Sequence, residues 1–407
     1  MRLCKNINNF VLPQWNNFSI LKIYNITMGD LGIYIHIPFC RRICNYCDFY
    51  AVKNNDTERF VKNLITEINL YSHKYPKEKI KTIFIGGGSP SVIHPAQINE
   101  ILKNIYDNFN TDSIKEITIE TNPEDFLISD KVIDIKKIIM YKEAGINRIS
   151  LGVQSFINEE LKFLTRNHNA EISLKVTEEL KKYFENISID LIYFLPGQKL
   201  NDWSLNLDIA IELKIPHISA YTLIIEKETN LYRDYLKGII KQNSQELESE
   251  MYLMTFEKLV ADNYIMYEVS NFAKPGYESI HNKRYWDYCD YIGFGPSAHS
   301  FHNMKRWNNF RNIIKYNKSI ESETLPVENE TKLDTYKQKT EFIMLSLRSV
   351  GIDNERYKKL FNSDFFIEYE NGINDLIQQG LAFRYLEHLK LTSKGYLLAD
   401  EIMVNYF

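Results

Sequence analysis

Between residues 32 and 222 the chain repeats one pattern six times, a short β-branched run followed by an amphipathic stretch with helical spacing. The runs fall at 32–37, 81–86, 115–121, 147–153, 187–193 and 216–222. After the first, Asp56 is placed to cap a helix whose Phe60, Val61, Leu64, Ile65 and Ile68 share one face. Such alternation specifies a parallel sheet of βα units, an α/β fold. Side chains in a strand alternate faces with a period of two. One face here is apolar: Ile33, Ile35 and Ile37, Ile117 and Ile119, Ile149, Leu151 and Val153, Ile187, Ile189 and Leu191. The other carries Tyr34 and His36, Thr118 and Glu120, Arg148, Ser150 and Gln154, Ser188 and Asp190, His217, Ser219 and Tyr221. A parallel sheet covered by helices on both faces reads as continuous apolar runs. These strands do not. Polar residues satisfying one another inside a packed barrel would explain any single position, but not the same face of five strands. The pattern therefore predicts a curved sheet with helices outside and a polar, ligand-holding lumen inside. Cys40, Gly86, Glu120, Gln154 and Asp190 fall at the C-terminal strand ends, where parallel barrels keep their sites.

At 407 residues the chain exceeds the roughly 250–300 at which one hydrophobic core stops growing, so a large and a smaller domain are expected. The division predicted is a barrel over 28–265, a connecting region over 266–320 and a C-terminal domain over 321–407. Residues 1–27 are Asn-rich, with Pro13 and Trp15 interrupting, and are set aside as an extension together with Cys4; Met28 is an alternative start. Past 222 a helix is expected over 245–263, then an irregular aromatic stretch over 264–310. Helical patterns follow at 333–348, 354–361 and 365–379, and Gly380–Leu391 reads as a two-stranded hairpin, which together describe a small winged-helix-like domain. Its 365–379 helix carries Glu368, Glu370 and Asp375 without Lys or Arg, so a structural or docking role is expected rather than DNA binding. A net charge of −4 likewise gives no nucleic-acid footprint. No run approaches the ~20 apolar residues of a membrane span, and no signal peptide is evident. Reduced thiols point to the cytoplasm.

Three of the five cysteines, Cys40, Cys44 and Cys47, lie within eight residues. The tight spacing and odd count disfavour disulfides. Structural zinc wants four ligands, and a fourth would have to come from His36, Cys4 or Cys289. Three thiolates on one loop suit three irons of a [4Fe-4S] cluster and leave the fourth iron open. One strand later comes Gly86-Gly87-Gly88-Ser89-Pro90, which is neither a P-loop, having no following Lys, nor Gly-x-Gly-x-x-Gly. Taken alone it is a turn whose backbone admits close approach.

The Cys-x3-Cys-x2-Cys spacing with Tyr46 before the third thiol resembles the radical S-adenosylmethionine (radical SAM) superfamily. Six ordered motifs narrow the resemblance: Ile35-His-Ile-Pro-Phe-Cys40, Phe84-Ile-Gly-Gly-Gly-Ser-Pro90, Glu120-Thr-Asn-Pro-Glu124, Arg148-Ile-Ser-Leu-Gly-Val-Gln-Ser-Phe156, Asp190-Leu-Ile-Tyr-Phe-Leu-Pro-Gly197 and His281-Asn-Lys-Arg-Tyr-Trp286. Over about residues 30–400 they are similar to the family of anaerobic coproporphyrinogen III oxidase and the heme chaperone HemW. The resemblance implies a partial (β/α)6 radical SAM barrel with a smaller C-terminal helical domain. It implies a cluster on Cys40, Cys44 and Cys47 with SAM chelated on its open iron. It implies SAM contacts from Tyr34, Tyr46, Gly87, Gly88, Ser89, Glu120, Gln154, Arg166 and Asp190. Ser89 replaces the usual Thr and keeps its hydroxyl. Tyr34, Glu120, Gln154 and Asp190 also stand on the polar face; Arg166, in Leu164-Thr-Arg-Asn-His168, has no such support, and a surface ion pair is its plain alternative.

Two features separate the branches. The oxidase has a further Cys two residues after the third, where this chain has Phe49. The His281–Trp286 motif resembles the one associated with heme binding in the chaperone branch. An imidazole can ligate heme iron and aromatic rings can cover its faces, which makes His281, Tyr285 and Trp286 candidates; Lys283 or Arg284 would pair with propionates. From the residues alone a helix packed on the barrel is the favoured reading, and the resemblance reverses that order; Cys289 reads as a small buried hydrophobe. The expectation is a protein that binds heme for an unidentified acceptor protein, with respiratory proteins and peripheral membrane contact among the options; porphyrinogen decarboxylation by a SAM-derived radical is the alternative.

Overall fold

The computed structural model describes residues 30–53, 56–75, 78–129 and 132–407; residues 1–27, Cys4 and Met28 lie outside them. Six strands form the centre of the sheet: β1 (Asp30–Ile37), β2 (Lys79–Gly87), β3 (Glu116–Thr121), β4 (Arg148–Gln154), β5 (Asn186–Tyr193) and β6 (His217–Thr222). They are parallel and neighbour one another in chain order. The links carry the helices Thr57–Ser72, Pro95–Asn108, Ile135–Glu143, Ala170–Leu180 and Leu200–Glu212. The first begins where Asp56 accepts from the Arg59 amide, and it buries Phe60, Val61, Leu64 and Ile68. Every member of the apolar strand face is buried, from Ile33 through Leu191, in one core with those helices. Burial of that stripe is the main force holding helices to sheet.

The stretch 264–310 is not irregular. It supplies β7 (Ile265–Met266), β8 (Asn271–Ala273), the helix Ile280–Trp286, β9 (Tyr291–Phe294), β10 (His299–His302) and β11 (Lys305–Asn309). These strands and β12 (Val327–Lys332) extend both edges into a twelve-stranded sheet in the order β12-β11-β10-β9-β1-β2-β3-β4-β5-β6-β8-β7. Runs of two to five residues are too short to show a period of two, and the partners that tie them to the central strands, β1 for β9 and β6 for β8, lie far away in sequence. Pairing makes them strands, with Tyr34 opposite Gly293 and Ser219 opposite Asn271.

Beyond β12 come the helices Thr335–Leu347 and Asn354–Phe361, then Phe365–Glu368 and Glu370–Gln378, with a break at Tyr369 in the expected 365–379 helix. The hairpin β14 (Ala382–Tyr385) and β15 (His388–Leu391) gains a third strand from β13 (Ile352–Asp353). The described residues contain no helix long and apolar enough to cross a membrane.

One buried carboxylate ties the first helix to the β9 edge. Glu67 is fully buried and accepts from the Gly295 amide (2.8 Å), Asn309 Nδ2 (2.6 Å) and the Tyr316 hydroxyl (2.6 Å). Burial raises its pKa to about 7 against those three donors. Glu67→Ala strands the Gly295 amide and the Tyr316 hydroxyl, at about 1–3 kcal/mol for each buried orphan, while Asn309 Nδ2 keeps only the Gly295 carbonyl (2.9 Å). A loss of about 3–5 kcal/mol in urea unfolding is expected, and a change within 0.5 kcal/mol, the ordinary range of a neutral surface substitution, would show the triad to be dispensable.

Candidate functional site

The mouth of the barrel is assembled by main-chain bonds between two loops. The Gly88 amide donates to the Ile37 carbonyl and the Ser89 amide to the Phe39 carbonyl, both at 2.8 Å. The glycine turn after β2 thus lies against the start of the cysteine loop after β1. A Cβ on Gly88 would meet the Phe39 carbonyl oxygen at 2.8 Å and Cys40 Sγ at 3.1 Å, so only glycine permits this approach.

Cys40, Cys44 and Cys47 are partly buried and free of disulfides. Burial, with Cys47 and Cys44 close by, pushes the Cys40 thiol up to about 12; burial also raises Cys47. The thiols therefore share one neighbourhood. Among the described residues no three His, Cys, Asp or Glu side chains converge as ligands of a single metal ion. A cubane takes one thiolate on each of three irons, a donor set that these three thiols on one loop match.

Arg166, which the strand pattern could not place, belongs here. Its guanidinium donates to the Gly152 carbonyl (3.0 Å), to Asn122 Oδ1 and to Cys44 Sγ (3.6 Å). Burial opposes its charge, but Tyr46, Glu124 and Cys44 outweigh burial and keep it protonated. It is a built-in cation beside the thiols, not a surface ion pair. Asn122 in turn donates to the Ser89 hydroxyl (2.6 Å), which donates to Asp125 (2.8 Å); Ser91 donates to the same carboxylate (2.6 Å) and Arg41 pairs with it (2.8 Å). Asn122 and Asp125 thereby join the glycine turn to the cysteine loop. Sequence reasoning quoted Asn122 only within a motif and missed Asp125, because the 3-10 turn Pro123–Phe126 has no strand alternation to betray which way it faces.

Below the mouth the polar strand face lines the lumen as the alternation predicts. Glu120 accepts from the Gly87 amide (3.0 Å), and Ser150 donates to Asp190 (3.2 Å). Burial and then the charge of Asp190 raise Glu120 to about 7, against the Gly87 amide and Arg148. Asp190 is also raised by burial, opposed by Ser219, Arg148 and further serines. Tyr34 is raised by burial and by Glu120. Arg148 is 1% exposed, and its Nε has no hydrogen-bond partner. It is the counter-charge beneath both carboxylates, visible in the strand pattern but not singled out from it. Gln154 closes the wall in a left-handed conformation (φ 68°) at a register irregularity of β4. A non-glycine residue held there reflects a local constraint on its side chain.

The helix Ile280–Trp286 lies at the opposite, N-terminal end of the strands. Glu116, the first residue of β3, accepts from the His281 and Ile280 amides (3.0 and 2.8 Å) and the Ser279 hydroxyl (3.2 Å). His281 is fully buried, with Nδ1 2.8 Å from the Thr82 hydroxyl and Nε2 2.8 Å from the Tyr285 hydroxyl. Both ring nitrogens are engaged, so coordination of heme iron there would require breaking two hydrogen bonds. Tyr285 packs edge-on against Tyr291, and Trp286 is partly buried. The helix stoppers the lumen floor. Cys289 is buried, as a small hydrophobe would be, with Sγ 3.2 Å from the Asp287 carbonyl.

Comparison with known proteins bears on this arrangement. Residues 34–208 match the radical SAM superfamily, and residues 337–398 match the HemN C-terminal domain. The protein named heme chaperone HemW in Lactococcus lactis is 35% identical over 377 residues, covering 92% of this chain and 96% of that one. Its namesake in Bacillus subtilis is 33% identical over 374 residues, covering 91% and 97%. The solved structure of coproporphyrinogen III oxidase from Escherichia coli superimposes with a TM-score of 0.78 over 92% of this chain and 89% of that one, at 21% identity, a likeness of fold.

Proposed function

We propose a function from one premise: this chain belongs to the heme chaperone HemW family of radical SAM proteins. It binds heme and passes it to an acceptor protein, and it carries a [4Fe-4S] cluster with SAM beside the heme-handling surface. The end-to-end match to proteins of that name carries the reading. Cys40, Cys44 and Cys47 hold the cluster. When bound, the cluster would supply an open iron for SAM and an electron for its chemistry. The protein's own part is placement. Glu120 offers an anion to the ammonium, the glycine turn with Ser89 brings its main chain against the amino-acid end, and Tyr34, Tyr46, Gln154, Arg166 and Asp190 complete the wall. Arg166 also sets positive charge beside the thiolates, which favours their deprotonated form. The acceptor is a protein that uses heme.

The test is a hemin titration of the anaerobically reconstituted full chain, run beside a coproporphyrinogen III conversion assay with SAM and reductant. Saturable binding near one heme per chain without decarboxylated product is expected. Product formation would make the chain an oxidase, and absence of saturable heme binding would remove the chaperone reading.

A further inference from the structure

The sequence motif directs attention to His281, yet the structure leaves a different imidazole open. His36, His168, His217 and His281 are buried, and each has both ring nitrogens in hydrogen bonds. His299 is exposed, and neither of its ring nitrogens has a hydrogen-bond partner among the described residues. Its position follows from the β9 edge of the sheet. Gly293 is the register partner of Tyr34, so both face the lumen side. Gly293 has no side chain, and the main chain of Ala298–His299 occupies the space: a Cβ there would lie 2.2 Å from the His299 carbonyl oxygen. Tyr291, on the same face, meets Tyr285 at 4.6 Å and Phe301 at 6.5 Å between ring centroids. His299 is two residues from Phe301 in β10 and therefore shares that face. The missing side chain thus carries His299 onto the concave side, next to the strand that bears Tyr34.

Two neighbours make this more than an open histidine. Arg311 is half-exposed, donates to the Asp48 carbonyl (2.7 Å), immediately after Cys47, and pairs with the Asp48 carboxylate (3.3 Å); its charge reaches both His299 and His36. Phe49, the next residue along the cysteine loop, is 72% exposed. An imidazole, a guanidinium and an uncovered phenyl ring around the same edge of the mouth match the iron, a propionate and a face of a metalloporphyrin.

We propose that His299 is the axial ligand through which the chain takes heme, with the porphyrin bordered by Phe49 and a propionate on Arg311. Partial burial of the ring and the guanidinium charges of Arg306 and Arg311 lower the His299 pKa, which favours the neutral, metal-ligating imidazole. The assignment rests on the heme-binding reading above and fixes its site.

Hemin titrations of the reconstituted full chain and of His299→Ala and His299→Met, followed by absorption and electron paramagnetic resonance, test it. His299→Ala is expected to weaken binding at least tenfold and to change the iron spin state, with the iron–sulfur signal and circular dichroism unchanged. His299→Met keeps a ligating atom, and it is expected to bind more tightly than the alanine variant with a thioether-ligated spectrum. Unaltered heme affinity and spectrum in His299→Ala would overturn the assignment alone, as would loss of the axial-ligand signature in His281→Ala but not in His299→Ala. Absence of heme binding by the unmutated chain would instead overturn the function on which the assignment rests.

Discussion

Cys44→Ala leaves the anaerobically reconstituted protein with essentially no cluster: iron falls from about four atoms per chain to near zero, and the broad charge-transfer absorption of the cluster disappears. The same result is expected for Cys40 and Cys47, since each serves one iron. Cys44 is the most informative of the three because Arg166 donates to its sulfur at 3.6 Å, so its loss also removes one acceptor from a buried guanidinium. Cys289→Ala is the comparison, as that thiol lies near Arg356 and Asp287 and away from the cysteine loop. It is expected to keep its full iron content. Full iron retention in Cys44→Ala would mean that the loop does not hold the cluster, and one tightly held zinc in place of iron would make the site mononuclear.

Glu120→Gln weakens SAM binding by about 10–100-fold, the 1.5–3 kcal/mol of a hydrogen bond to a charged partner, while the cluster absorption stays intact. The unmutated protein also gains affinity as pH rises through the titration of Glu120 near 7, because only the ionised carboxylate can pair with the SAM ammonium. The sign is opposite for folding: burial raises this pKa above the ordinary carboxylate value, so ionisation costs stability as pH rises from about 4.5 to 7. The groups facing Glu120 are Asp190, Arg148, Tyr34, Tyr285 and Tyr221. The variant should lose the pH dependence along with the affinity, as measured by equilibrium dialysis of SAM between pH 5.5 and 8.5. An unchanged pH profile in Glu120→Gln would assign the titration to another of these groups.

The six central strands were legible because each is long enough to show two faces, and the burial of Ile33, Ile119, Leu151 and Ile189 opposite Tyr34, Glu120, Ser150 and Asp190 is that pattern in three dimensions. The edge strands were not: β7 to β11 have two to five residues each, and they join the central sheet only through β6 and β1, far along the chain. The same distinction governs the site. Cys40, Gly88 and Glu120 follow directly from strand ends and spacing. Arg166 required knowledge that residues 122 and 152 meet it, and Asp125 that a 3-10 turn folds back over the glycine loop. His281 shows the reverse. Its local motif suits a metal ligand, but Thr82, Tyr285 and Glu116 have engaged its ring and its amide, and two of these come from strands more than 160 residues earlier.

The stopper formed by Ile280–Trp286 has a consequence for traffic. With Thr82, Thr118, Arg148, Ser188, His217 and His281 all shut away from solvent, nothing reaches Glu120 or Asp190 from beneath. Whatever occupies the depth of the lumen enters past the cysteine loop and must leave by the same doorway. A ligand lodged deepest would then be first in and last out. A bulky cargo standing at the threshold would hold it in place, so loading of one molecule and release of the other become ordered events.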